Sequence, residues 1–329
     1  MTVGWGIIGI GRTADLRMAP AIVADRGSTL VGVVSRDQGR AGAFAARHGA
    51  VQATTSYEAL LANPAVDAVL ITTPNALHPD QVVQAAAAGK HVLCDKPLAI
   101  EAAPAAAAVA ACRRAGVRLG VVFQTRHHPV YAEVRRRLQA GEIGPLRLLE
   151  VRASLGLSPL HSWRTDPALA GLGVVNNVGV HALDLVRFLT GAEFRELVAV
   201  LGPGVDNSLE TTARIVGRLS DGSAVTVTAS QALPEMPNGV AAHGDGGSLA
   251  VAGLGRLWED GVLEVSARGG RELVPEAAST DAYQLVIEDF RRAVETGGEP
   301  LANGDDGLRS LEVTAAIARS ARQAGLVPV

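Results

Sequence analysis

The chain has 329 residues, nearly half of them apolar and about a fifth charged, with a net charge of −3. That length exceeds one ordinary core, so two domains are expected, and the composition excludes a disordered chain. The slightly acidic balance excludes a broad basic field for nucleic acid or anionic lipid.

In chain order, Val3–Ile8 is a short apolar run, preceded by no basic segment with a long apolar stretch, so no secretory signal is expected. Leu30–Val34, Asp67–Ile71, His91–Leu93 and Leu119–Val122 are further apolar runs. Such runs suit parallel strands buried on both faces. Between them Arg40–His48, Tyr57–Leu61, Gln81–Ala88 and Ala102–Arg114 read as helices, the last two rich in alanine. Strands alternating with helices through right-handed crossovers make a doubly wound sheet. After about Val122 the pattern changes. Pro129–Ala140 reads as an amphipathic helix ended by Gly141. Period-two alternation dominates Leu146–Leu157 and Thr211–Val274, cleanest at Ala224–Ala229, with turn signals at Ser220-Asp221-Gly222 and Gly244-Asp245-Gly246-Gly247. This half is expected to be a largely antiparallel sheet with one face on a core, closed by helices at Ala282–Thr296 and Asp305–Ala324. No apolar run approaches the ~20 residues of a membrane span. Cys94 and Cys112 are too few for a disulfide framework, so a reducing, cytoplasmic setting is expected.

Gly9-Ile10-Gly11-Arg12-Thr13-Ala14 fills the pattern G-x-G-x-x-[G/A] directly after the first strand. Gly9 permits a tight turn, Gly11 lets backbone approach a pyrophosphate, and Ala14 allows close helix–strand packing. The helix start, at Arg12 and Thr13, supplies N–H groups and a positive dipole end. A glycine-rich turn is the bland alternative; strand before and helix after favour the cofactor loop. The second strand ends Val33-Val34-Ser35-Arg36. A serine hydroxyl and a guanidinium would hold a ribose 2′-phosphate, where a carboxylate would repel it, so NADP(H) is expected. The alternative is NAD(H), with Arg36 a solvated loop residue and Asp37 in the acidic role.

Thr73-Pro74-Asn75-Ala76-Leu77-His78 is followed by Gly89-Lys90-His91-Val92-Leu93-Cys94-Asp95-Lys96-Pro97 and by the stretch from Gly171 to Asp184 that contains Asn177-Val178-Gly179-Val180-His181. With these motifs, in this order over nearly its full length, the chain resembles the Gfo/Idh/MocA oxidoreductases (glucose–fructose oxidoreductase, inositol dehydrogenase and rhizopine catabolism proteins). Within that family it looks similar to 1,5-anhydro-D-fructose reductases and related sugar dehydrogenases. The resemblance implies an α/β fold: an N-terminal Rossmann doubly wound parallel sheet, then a C-terminal α+β domain with a large, open, mostly antiparallel sheet. The expected boundaries are 1–122 for the dinucleotide-binding domain and 123–329 for the substrate-binding and oligomerisation domain, with the last helix packing back on the first.

The resemblance also implies roles. Lys96 would sit beside the nicotinamide and substrate, and His181 would face it as acid/base. Thr73, Pro74, Asn75, His78 and Asp95 would line the cofactor, and Trp163-Arg164 match a segment that reaches the cofactor or active site. A sugar or polyol substrate and a homodimer or homotetramer packed through the open sheet are implied as well. Two departures matter: Asp95 replaces a glutamate, and Asn177 replaces an aspartate that could have stabilised a charged partner.

Read without the family, Lys96 follows a strand at the carboxyl edge of a doubly wound sheet, where ligands bind, and a partly desolvated lysine can polarise a carbonyl. His181 can move a proton near neutral pH. Asn177, His181 and Asp184 are spaced to share one helix face, so Asp184 would orient the imidazole or meet substrate hydroxyls. A metal held by His181 and Asp184 is disfavoured for want of a third ligand at a recognisable spacing. The bland readings are a surface lysine at a strand end and a polar-capped helix start. His127-His128 reads as a loop pair, Arg135-Arg136-Arg137 as a solvated helix face, Cys94 as a small buried residue, and Tyr283 as core packing rather than a substrate contact. The expected activity is NADP(H)-dependent hydride transfer at a carbonyl/alcohol carbon of a sugar, anhydro-sugar or cyclitol. The rivals are a cofactor-sensing regulator without turnover, motivated by Asn177, and a glycosidase using tightly held NAD.

Overall fold

The computed structural model describes residues 2–156, 162–202, 204, 209–252, 262–267, 270–274 and 281–329. Leu157, the expected end of a strand, lies outside them. The chain forms two compact units, Met1–Gln124 with Asp281–Leu308, and Thr125–Thr280 with Arg309–Val329.

The first unit holds six parallel strands: β1 (Val3–Ile8), β2 (Ser28–Val34), β3 (Gln52–Thr54), β4 (Ala68–Ile71), β5 (His91–Cys94) and β6 (Leu119–Val121). Their order is β3-β2-β1-β4-β5-β6. The chain therefore runs outward from β1 to one side, then returns and runs outward to the other. The carboxyl ends of β1 and β4 flank the point of reversal, where an open α/β sheet takes its ligand. Every residue of β1, β4 and β6 is buried, as all-apolar parallel strands require. The edge strand β3 has no such run; its Gln-Ala-Thr is half-buried, so the apolar signal misses it. The helix Gln38–His48 starts at the Asp37 cap, and His78–Ala87 starts three residues ahead of the expected Gln81.

The sequence assigns 123–329 to the second domain, with the last helix packing back on the first. By its packing, Asp281–Leu308 groups with the first unit. The reason is the apolar stripe of Ala282–Thr296: Val286, Ile287 and Phe290 enter the core beneath β1, with the Phe290 and Trp5 rings 5.5 Å apart. Arg291 of the same helix donates to Asp25 at 2.8 Å.

Among the described residues the second unit holds nine strands: β7 (Leu146–Ser154), β8 (Phe194–Gly202), β9 (Thr212–Leu219), β10 (Ala224–Ser230), β11 (Gly239–Gly244), β12 (Gly247–Ala252), β13 (Val262–Ala267), β14 (Gly270–Val274) and β15 (Val327–Pro328). Their order is β14-β13-β12-β11-β7-β10-β9-β8-β15. All neighbours are antiparallel except β7 and β10. Period two decides which face is buried: Val225, Val227 and Ala229 of β10 point into the core, as do Leu149, Val151 and Ala153 of β7. The strand β8 escapes that pattern because Leu197-Val198-Ala199-Val200-Leu201 is apolar on both faces. The core side of the sheet carries Pro129–Gln139 and Val180–Thr190. The segment Pro167–Thr190 is apolar and long enough to span a membrane by length and composition, and most of it is buried in this core.

Candidate functional site

The sequence-predicted residues fall in two groups, one in each unit. In the first unit they occupy the loops that leave the carboxyl ends of β1, β2, β4 and β5. Gly9 adopts φ +89°, and a Cβ there would stand 2.9 Å from the Thr73 nitrogen, so glycine is needed for both conformation and space. Gly11 is the opposite case: nothing lies within 4 Å of an added Cβ. That open cradle, at the start of a helix whose first N–H groups lack intrahelical acceptors, fits a pyrophosphate. Arg12 is exposed, Thr13 half-buried and Ala14 buried against the core, as close helix–strand packing requires. The helix continues through a π-turn at Ala14–Met18.

After β2, Ser35 is buried and Arg36 exposed. The Ser35 hydroxyl accepts from Asp37 N at 3.3 Å, and the Asp37 carboxylate accepts from Arg40 N at 2.7 Å as the cap of the next helix. Asp37 is thus turned into its own helix start.

After β4 and β5, two loops meet at His78. Thr73, Pro74 and Asn75 lead into His78, and Asp95 and Lys96 lead into Pro97 across a cis peptide bond. The His78 ring is 1% exposed, with Nδ1 2.8 Å from Pro97 O and Nε2 2.9 Å from Thr73 O. Burial holds this imidazole below its ordinary pKa against the opposing pull of Asp95. Both ring nitrogens face backbone carbonyls, and the neutral ring can donate to only one of them, so His78 sits between the Lys96-Pro97 loop and the Thr73 loop and ties one carbonyl through its single N–H. Asn75 is likewise buried. Asp95 and Lys96 are half-buried, and Asp95 Oδ1 accepts from Lys96 N at 2.9 Å, which helps set the backbone at the lysine. Cys94 is fully buried and its thiol is pushed well up by desolvation, an inert packing residue.

In the second unit Asn177, His181 and Asp184 lie on one continuous helical segment, but its start, Val175–Gly179, is a π-turn with Val180 N bonded to Val175 O. A π-turn accommodates one extra residue, which rotates the later part of the helix by roughly 100° relative to the earlier part. Asn177 lies inside this turn and Asp184 beyond it, and their side chains meet different partners. Asn177 Nδ2 donates to Gln231 Oε1 at 3.1 Å. Asp184 is 0% exposed and accepts a bidentate pair from Arg126, Nε to Oδ2 at 2.8 Å and Nη2 to Oδ1 at 2.6 Å, with Arg187 Nη1 3.9 Å away. This buried ion pair anchors the helix at Asp184. His181 is buried in the same segment. Trp163 and Arg164 form a short 3-10 turn, with the guanidinium 4.3 Å over the indole.

Three residues of this half were not foreseen. Glu210 Oε1 accepts from Val175 N at 3.2 Å and its carbonyl accepts from Val174 N at 2.8 Å, capping the start of the helix; burial raises the pKa of its carboxyl. Its closeness forbids a side chain at Gly173, whose added Cβ would lie 2.3 Å from Glu210 O. Gln231 did leave a signal: it continues the inward parity of Val225, Val227 and Ala229 with a polar side chain. Arg126 left none, being one basic residue beside His127-His128. Of that pair, His128 is the buried cap of Pro129–Gln139, accepting from Val130 N. Arg136 and Arg137 pair with Glu133 and Glu142, and Arg135 stacks 4.6 Å over Phe188. Tyr283 packs beside the first core with Arg17 6.0 Å from its ring centre.

Comparison with known proteins adds to this geometry. Residues 3–123 match the oxidoreductase family with an NAD-binding Rossmann fold, and residues 131–250 match the GFO/IDH/MocA C-terminal domain. The 1,5-anhydro-D-fructose reductase of Ensifer adhaerens is 31% identical over 96% of this chain and 96% of its own. D-xylose 1-dehydrogenase (NADP(+)) 2 of Haloferax volcanii is 33% identical over 98% of each. The aldose-aldose oxidoreductase of Caulobacter crescentus, solved with glycerol, superposes with a TM-score of 0.92 at 25% identity over the full length of both chains. The chain belongs to the GFO/IDH/MocA family of oxidoreductases, with the family's NAD-binding Rossmann fold.

Proposed function

We propose that the protein catalyses NADP(H)-dependent oxidation or reduction at a carbonyl/alcohol carbon of a sugar, anhydro-sugar or cyclitol. The observation that carries this reading is the lysine loop. Lys96 stands at the carboxyl edge of the Rossmann sheet, after β5 and one strand removed from the β1 that leads into the Gly11 cradle, with its backbone N–H bonded to Asp95. Bound nicotinamide supplies the two-electron chemistry. The cradle at Gly9, Gly11, Arg12 and Thr13 binds the pyrophosphate, and Lys96 hydrogen-bonds the reacting oxygen and helps to protonate it. His181 relays the proton, and Asn177 contributes hydrogen bonds but no charge.

Preference for NADP(H) rests on the end of β2. With Asp37 engaged as a helix cap, Ser35 and Arg36 are the residues that would hold a ribose 2′-phosphate. The anhydro-sugar and xylose activities named for the two relatives set the substrate class to try first. A homodimer or homotetramer is part of the proposal. Val200, Val216, Val262 and Leu273 project from the face of the nine-stranded sheet opposite its core, and light scattering reads the mass.

The test is oxidation of NADPH and NADH, and the reverse reductions, over anhydroketoses, aldoses, ketoses and inositols. Turnover with NADP(H) favoured supports the reading. A second reading, a cofactor sensor without turnover, draws on Asn177 and predicts tight NADP(H) binding with no exchange on any member of the panel.

A further inference from the structure

Gln231 is 1% exposed, and a buried amide has to place both of its ends. Its backbone N–H donates to Thr211 O at 3.0 Å, its Nε2 donates to Glu210 O at 3.4 Å, and its Oε1 accepts from Asn177 Nδ2 at 3.1 Å. A backbone carbonyl can only accept, so Glu210 O dictates which end of Gln231 carries the NH2 group. The other end, an oxygen, is thereby turned on position 177. That oxygen requires a donor, which asparagine has and an ionised aspartate lacks.

We propose that Gln231 is a positioning residue for the candidate site residues of the second unit. Its carbonyl, oriented by Glu210, holds Asn177 with Nδ2 toward Gln231 and Oδ1 turned away, and makes uncharged asparagine the working residue at this position. Asn177 is then matched to its neighbours as an amide. The inference takes the meaning of Asn177 from the redox reading, but its polarity argument stands on the hydrogen bonds alone. An aspartate at 177 would set a carboxylate against the Gln231 oxygen. Flipping Gln231 to meet it would place oxygen against Glu210 O. The carboxyl would instead keep its proton and donate, so its folded pKa would rise above the unfolded value. N177D is therefore penalised little below the ordinary aspartate pKa and progressively more as pH rises through the raised value.

The experiment compares thermal unfolding of wild type, N177D, Q231L and N177D/Q231L, each against wild type at the same pH between 5 and 8. The expected result is an N177D deficit that widens with pH, reaching roughly 3–8 °C at pH 8. Q231L alone shows a pH-independent loss, and the widening shrinks in the double variant because the facing oxygen is gone. On a substrate found in the panel, the turnover pH profile of N177D gains an ionisation that wild type lacks. An N177D deficit equal at pH 5 and pH 8, or a widening unchanged by Q231L, overturns the proposal. Absence of wild-type turnover on the whole panel overturns the redox reading instead, and the unfolding series still decides the amide network.

Discussion

The candidate residues of the two units are held by different means. In the first unit, backbone does most of the work. Gly9 takes a positive φ beside Thr73, Gly11 leaves a cradle open at a helix start, and His78 sits between two loops, facing the carbonyls of Thr73 and Pro97. In the second unit, side chains do it. Glu210 caps the helix, Gln231 orients Asn177, and Arg126 pins Asp184, around a π-turn that shifts the phase of the helix. Backbone devices tolerate few residue types and so leave fixed spacings. Side-chain networks draw on partners far apart in the chain and leave little local trace.

That contrast can be broken most forcefully at the buried ion pair. Asp184→Leu strands the Arg126 guanidinium in the core and should cost about 3–5 kcal/mol of unfolding free energy. Replacing both, in R126M/D184L, should recover much of it. Denaturant titration reads both, and a D184L protein as stable as wild type would contradict the anchoring role of Asp184.

In the first unit, Gly11→Ala should leave stability nearly unchanged, because the added Cβ meets nothing within 4 Å, while NADPH binding weakens roughly 10- to 100-fold through lost charged hydrogen bonds. Fluorescence titration beside a melting curve separates the two effects. Loss of stability in parallel with binding would show that Gly11 serves the fold instead.

Smaller again, Arg36→Ala should reduce NADPH affinity roughly 10-fold and leave NADH affinity alone. Equal losses for both cofactors would remove the 2′-phosphate assignment. The smallest effect belongs to Glu210. Burial raises its pKa in the folded protein, so the stability that it contributes is full below its unfolded pKa and declines as pH rises through the folded value. Glu210→Gln keeps an oxygen for Val175 N and should melt progressively higher relative to wild type as pH increases. A difference constant with pH would contradict the assignment.

The uneven legibility of the fold has the same origin. The parallel strands β1, β4 and β5 announce themselves by unbroken apolar runs, and β10 by clean alternation. The edge strand β3 is too polar, and β8 too apolar, for either pattern. Ser35 and Arg36 could be singled out because strand ends at a doubly wound sheet have a defined place for ligands, whereas Lys96 stood out through the motifs around it and would otherwise read as a surface lysine at a strand end. The different partners of Asn177 and Asp184 could not, because nothing in the sequence marked the π-turn that contains Asn177. The helix Ala282–Thr296 shows its apolar stripe, but the stripe does not say which of two cores it enters.

In the proposed reaction Lys96 handles the proton of the redox step, and every other assignment is arranged around it. The most direct test is steady-state turnover of Lys96→Ala on the best panel substrate, with NADPH affinity measured separately. The predicted result is a fall in turnover of at least ~100-fold with cofactor affinity changed no more than a few-fold. Near-normal turnover in that variant would contradict it.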